Sequence, residues 1–165
     1  MRPKRKNISK VDKPNSQKNC FVIQKHQASH LHYDLRLEVA GKLISWVLPK
    51  LPIIRAGEKH LAIQVESHPL AYKNFEGAIR KGDYGAGKIK IWDSGKFIPI
   101  LPANGAGKAK IKNTEQKILD EIQAGKFSFI VLGEKMRGTY TLVRINEENK
   151  TWIIIRRGAS DPKEK

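Results

Sequence analysis

The chain has 165 residues, 39% of them hydrophobic, and its 32 Lys and Arg against 16 Asp and Glu give a net charge of +16. That is enough apolar material for one ordinary core, and the charge disfavours cationic partners while attracting polyanions, nucleic acid first among them. The single cysteine, Cys20, excludes an intramolecular disulfide and a cysteine-rich zinc site, and the longest aliphatic stretch, Trp152 to Ile155, is far too short to cross a bilayer, so the expectation is a soluble, cytoplasmic protein with no membrane partner.

In chain order, residues 1–19 carry Arg2, Lys4, Arg5, Lys6, Lys10, Lys13 and Lys18 among Pro, Asn and Ser, with almost nothing apolar to offset the entropy of ordering. They are expected to form a mobile basic arm ahead of one domain over residues 20–165. Eight β-rich runs follow: Phe21 to Lys25, Leu31 to Val39, Lys42 to Leu48, His60 to Glu66, Lys88 to Trp92, Phe127 to Leu132, Thr139 to Ile145 and Thr151 to Arg156. Ala40-Gly41, Asp93-Ser94-Gly95 and Asn146 to Lys150 read as hairpin connections, which predicts a mainly antiparallel sheet. A helix is predicted over Thr114 to Ala124, capped by Asn113 or Thr114, with Ile118, Leu119 and Ile122 as its apolar face and Gly125 as its stop. Gly105-Ala106-Gly107 reads as a flexible loop. The glycines of Gly82-Asp83-Tyr84-Gly85-Ala86-Gly87 match neither the dinucleotide nor the Walker spacing, and that segment reads as a plain turn.

All five histidines fall between His26 and His68. In His32-Tyr33-Asp34-Leu35-Arg36-Leu37-Glu38-Val39, strand alternation sends Tyr33, Leu35, Leu37 and Val39 to one face and His32, Asp34, Arg36 and Glu38 to the other. The preceding run sets Gln24 and His26 on one side of its strand, so a hairpin can return His26 to His32 as a third ligand. By the same alternation Leu61, Ile63 and Val65 are expected in the core, with Gln64, Glu66 and His68 opposite. Two imidazoles and one carboxylate suit Mn²⁺, Fe²⁺ or Zn²⁺ and leave coordination positions open for water and a substrate oxygen. Beside such an ion Arg36 presents a donor fork to two phosphate oxygens, and His68 can protonate a leaving oxygen or bind the phosphate.

The stretch from Phe21 to Glu38 is similar to the motif of bacterial DNA ligase D 3′-phosphoesterases. Ser45-Trp46 with Pro49-Lys50, Val65 to Tyr72, Phe75-Glu76-Gly77, Tyr84 to Gly87 and Trp92 to Gly95 follow in that family's order, so that the resemblance spans residues 20–157. It implies a small antiparallel eight-stranded β barrel or crescent with one or a few short helices. It further implies a manganese-dependent enzyme, other divalent metals such as Co²⁺ or Zn²⁺ being alternatives, that removes a 3′ ribonucleoside and then the 3′-phosphate from a DNA primer-template. Carried over by position, the metal ligands are His26, His32 and Asp34, the phosphate-contacting arginine is Arg36 and the further active-site histidine is His68. Gln24, Lys50, Glu66 and Tyr72 also align with the family, and the roles expected of them are orienting or bridging for Gln24 and Glu66, phosphate or strand contact for Lys50 and support of His68 for Tyr72. No ligase or polymerase domain follows Arg157, so a stand-alone version meeting a separate ligase and polymerase is the expectation. Two other classes are compatible with the residues: a non-haem iron oxygenase built on His-x-Asp, and a non-catalytic nucleic-acid binder, which would leave the polar constellation without purpose.

Overall fold

The computed structural model describes residues 19–52, 55–102 and 114–158. All but Asn19 of the predicted arm, the loop at 105–107 and the candidate cap Asn113 lie outside them. The described residues form nine strands: β1 (Cys20–Gln27), β2 (Leu31–Val39), β3 (Lys42–Leu48), β4 (Lys59–Pro69), β5 (Gly77–Ile79), β6 (Gly87–Ile100), β7 (Lys126–Leu132), β8 (Arg137–Asn146) and β9 (Thr151–Arg156). A 3₁₀ turn spans Leu70–Asn74, and helix α1 spans Thr114–Ala124. Every pairing is antiparallel. The order β1-β2-β3-β4-β9-β8-β7-β6 closes on itself through β1 and β6, giving an eight-stranded barrel with β5 added along β6. Among the described residues no helix is long and apolar enough to cross a membrane.

The barrel interior is filled by the inward half of each alternation. Phe21 and Ile23, Tyr33, Leu35, Leu37 and Val39, Trp46 and Leu48, the aromatics Phe97, Phe127 and Phe129, and Trp152 with Ile154 are all buried. Helix α1 adds Ile118 and Ile122 to this core and ends at Gly125, whose φ of +99° is the left-handed conformation glycine adopts freely. Ala40 and Gly41, at φ +53° and +81°, form the two-residue turn expected between β2 and β3.

Two expectations fail. Asp93-Ser94-Gly95 does not close a hairpin but lies inside β6, which runs straight through it. The reason is that the Asp93 carboxylate is consumed by backbone, most of it distant: it accepts N–H groups from its neighbour Ser94 at 2.9 Å and from Glu134, Lys135 and Met136 at 3.0, 2.9 and 2.7 Å. A side chain at Gly95 would collide with the Leu132 carbonyl on β7, so this glycine admits a close strand neighbour instead of a bend.

The facing of β4 is also reversed. Ala62 is fully buried while Leu61 is 45% exposed. Ala62 sits opposite Trp152 and Gln64 opposite Trp46, and two indoles already fill the interior there, which leaves room for a small residue only. A bulge then shifts the register: Ser45 pairs with Val65, but Leu43 pairs with His68. The extra residue turns His68 to the face shared by Val65 and Ser45, and separates it from Gln64.

The stretch after β4 was not foreseen as structured beyond its turns. From Leu70 to Gly87 it folds over the outer face of β1 and β2, tied down by Gln24 Nε2, which donates to the carbonyls of Tyr72 (3.0 Å) and Phe75 (3.1 Å), and by a Lys73–Glu38 ion pair at 3.2 Å. The outer face of the β1–β2 hairpin is thereby enclosed, which is why polar Gln24, His26, Asp34, Arg36 and Glu38 are all buried.

Candidate metal and phosphate site

The pairing of β1 with β2 sets His26 directly opposite His32 and Gln24 opposite Asp34. Three potential ligand atoms, one from each of His26, His32 and Asp34, consequently lie within 4.8 Å of one another. Asp34 Oδ1 is 3.3 Å from His32 Nε2, and Asp34 Oδ2 is 3.6 Å from His26 Nδ1. The remaining ring nitrogens are committed elsewhere: His26 Nε2 lies 3.0 Å from the Ala86 carbonyl and His32 Nδ1 lies 3.2 Å from the His30 carbonyl. A carbonyl can only accept, so each of these nitrogens carries the proton and the lone pairs of His26 Nδ1 and His32 Nε2 face Asp34. The donor set fits a divalent transition ion, and its orientation is fixed by backbone.

Arg36 is 3% exposed and its guanidinium is turned inward. Nε donates to Gln24 Oε1 (2.6 Å), Nη1 to Ser45 Oγ (2.8 Å) and His68 Nδ1 (3.1 Å), and Nη2 to Asp34 Oδ2 (3.3 Å). Among the described residues these contacts take four of the five guanidinium donors, which corrects the expected fork on two phosphate oxygens: one Nη2 donor is left for a ligand. Burial lowers the Arg36 pKa, opposed by the charge of Asp34. A buried cation of this kind needs its partner, so Arg36 both supplies positive potential and locks Asp34 in place.

His68 lies on the same side. Its pKa is lowered, first by burial and then by the charge of Arg36, against a hydrogen bond to the Glu66 backbone. Near neutral pH it is therefore an uncharged imidazole. Its Nδ1 accepts from Arg36, which leaves the proton on Nε2. Tyr72 stacks at a tilt on His68, with ring centroids 5.0 Å apart, and also lies 5.0 Å beneath the Arg36 guanidinium.

These groups open into a cavity of about 910 Å³ lined by His26, His32, Asp34, Arg36, His68 and Tyr72. The structure brings Gln24 beneath Arg36 as a positioning group. It does not bring Glu66 or Lys50 to the cavity. Lys50 is exposed beyond the end of β3, and Glu66 lines a separate cavity with Val39 and Lys42 because the β4 bulge parts it from His68. Three contributors had been given no site role from the sequence, although all three stand in stretches that carry the resemblance: the hydroxyl of Ser45, the carbonyl of Ala86 and the side chain of Tyr84. The segment read as a plain turn is in fact one wall of the cavity. A side chain at Gly87 would collide with the Gln27 carbonyl, so glycine is what lets this wall press against the β1–β2 hairpin.

A pH dependence follows from His32. The hydrogen bond that His32, once protonated, donates to Asp34 raises its pKa, more than burial lowers it, so this ligand holds its proton more tightly than a free histidine. Metal must displace that proton. Affinity for a divalent ion is expected to fall as the pH drops through the raised His32 value, by roughly tenfold per pH unit for each proton displaced, and to level off at higher pH. Calorimetric titration with Mn²⁺ at pH 6 and pH 8 in buffers of different ionisation enthalpy measures both the affinity and the proton released.

The DNA Ligase D 3′-phosphoesterase domain matches residues 24–144. The multifunctional non-homologous end joining protein LigD of Pseudomonas aeruginosa is 40% identical over 139 residues, covering 82% of this chain and 15% of that protein. The multifunctional non-homologous end joining DNA repair protein LigD of Mycobacterium tuberculosis is 41% identical over 138 residues, covering 84% of this chain and 16% of its own length. The LigD protein of Mycolicibacterium smegmatis is 38% identical over 136 residues. The chain thus spans about one sixth of the length of these relatives.

Proposed function

The chain belongs to the DNA ligase D 3′-phosphoesterase domain family, and from that premise we propose that it is a divalent-metal-dependent hydrolase that heals the 3′ ends of broken nucleic-acid strands. Its proposed reactions are release of a terminal 3′ ribonucleoside to leave a 3′-phosphate, and removal of that phosphate to leave a 3′-OH. The supporting observation is that the His26, His32 and Asp34 donors, Arg36 and His68 open on one cavity in a strongly basic chain. Non-homologous end joining is the proposed pathway, as the names of the relatives suggest, with ligase and polymerase activities as partners.

His26 Nδ1, His32 Nε2 and Asp34 would hold the ion, for which manganese is proposed because two imidazoles and a carboxylate form a donor set of intermediate hardness. The ion supplies Lewis acidity toward a phosphoryl oxygen and lowers the pKa of water. Arg36 offers its remaining Nη2 donor and its charge to the phosphate, while its other donors keep Asp34 and His68 in register. We assign His68 the anchoring role: uncharged, with Nδ1 taken by Arg36, it presents Nε2–H as a hydrogen-bond donor to a phosphate oxygen. Tyr72 holds the His68 ring at its angle. Gln24 fixes Arg36 from below and the 3₁₀ turn from the other end of the same amide.

The direct test uses a DNA strand ending in a 3′-phosphate. Protein stripped with a chelator should release no phosphate, and re-addition of Mn²⁺ should restore release. Metal-independent release, or none with any divalent transition ion, would sink the reading.

A further inference from the structure

Tyr84 is 81% exposed, the most exposed of the large hydrophobic side chains among the described residues, yet it lines the site cavity. The turn that carries it is held firmly. Asp83 N donates to the Arg80 carbonyl (3.0 Å), Ala86 N donates to the Asp83 carbonyl (3.1 Å), and Gly85 at φ +78° follows Tyr84 as the third residue of a type II-like turn. Two residues after Tyr84, the Ala86 carbonyl holds the ring of metal-ligand candidate His26. Tyr84 lies near enough to Arg36 and Tyr72 to bear on the protonation of both. An exposed aromatic ring thus stands at the rim of the site cavity, with exposed Lys81 on the same rim.

A solvent-exposed ring contributes nothing to the core, and the other aromatics of this wall, Tyr72 and Phe75, are already stacked on each other at 4.9 Å. The partner that an exposed tyrosine beside a cationic group fits is a nucleobase, because every base offers a π-face and its phosphates offer charge. We propose that Tyr84 is the stacking platform for the terminal base of the 3′ strand, and that the enzyme therefore selects ends whose last base is unpaired and free to leave the duplex. The inference rests on the 3′-end-healing reading and names how that site selects its strand.

Two measurements on the full chain test it. Tyr84→Ala should raise KM for a 3′-phosphate end bearing a base by roughly 5- to 100-fold relative to an otherwise identical abasic 3′-phosphate end, and Tyr84→Phe should restore the wild-type ratio. A structural role for the turn would instead depress turnover on both ends alike, which would overturn the proposal. Separately, a strand with a 3′-terminal 2-aminopurine should be quenched on binding to chelator-treated wild type and Tyr84→Phe, and should stay bright when bound by Tyr84→Ala. Equal quenching by Tyr84→Ala, or a bright probe on an active wild type, would refute stacking. Quenching by a wild type that hydrolyses neither end would uphold stacking and refute the end-healing reaction.

Discussion

Asp34→Ala is expected to reduce metal-dependent turnover by at least about 10³-fold, since it removes the one carboxylate of the proposed ion site and several kcal/mol of transition-state stabilisation with it. The same change strips the buried Arg36 of its one anionic contact among the described residues, so a melting temperature a few degrees lower is also expected. Asp34→Asn separates the two effects. The amide keeps an oxygen near Arg36 and the shape of the side chain, so it should fold like the parent yet remain nearly as inactive as the alanine variant. Steady-state kinetics with saturating Mn²⁺ beside a thermal melt distinguish them, and metal-stimulated rates within tenfold of wild type in a folded Asp34→Asn would remove Asp34 from the ligand set.

Asp93→Ala should produce the largest loss of stability of any single polar change outside the site. Its carboxylate, 6% exposed, accepts four backbone N–H groups and so ties β6 to the turn joining β7 and β8, where Gly133 N also donates to the Met136 carbonyl at 3.0 Å. Gly133 lies so close to Asp93 that a side chain there would strike the carboxylate. Hydrogen bonds to a charged acceptor contribute about 1.5–3 kcal/mol each, and alanine would leave several donors unpaired. A loss of about 3–5 kcal/mol is expected, a large share of the ~5–15 kcal/mol available to a domain. Urea denaturation measures it, and a loss under about 1 kcal/mol would mean that water or a neighbouring group replaces the carboxylate.

Much of this was legible before the fold was known, for identifiable reasons. The His32 to Val39 alternation is strict, and the structure divides it as expected, with Tyr33, Leu35, Leu37 and Val39 in the core and Asp34 and Arg36 on the opposite, site-facing side. The Ala40-Gly41 turn fixes the β2–β3 register by chemistry alone, so the Arg36–Ser45 pairing was in principle readable from it. What alternation cannot reveal is a bulge. In β4 the two opposed tryptophans decide which face is inward, and one extra residue then carries His68 to the site and leaves Glu66 away from it. Asp93-Ser94-Gly95 was misread for a related reason: its residues are turn formers, but a carboxylate that satisfies three amides some 40 positions away in sequence holds them extended. In the wall contributed by Tyr84 and Ala86, Ala86 acts through its carbonyl, which leaves no mark in residue type, and alternation does not place the Tyr84 ring at the cavity rim.

The central claim is tested most directly by incubating the protein and Mn²⁺ with a 5′-labelled primer-template ending in a single 3′ ribonucleotide, with His32→Ala alongside. Stepwise conversion, first to a primer ending in a 3′-phosphate and then to one ending in a 3′-OH, with neither product formed by the folded His32→Ala variant, is the predicted result. A primer that stays intact with wild-type protein that is folded, bound to the strand and supplied with metal would contradict it and leave the His26, His32 and Asp34 cluster as part of a binding surface only.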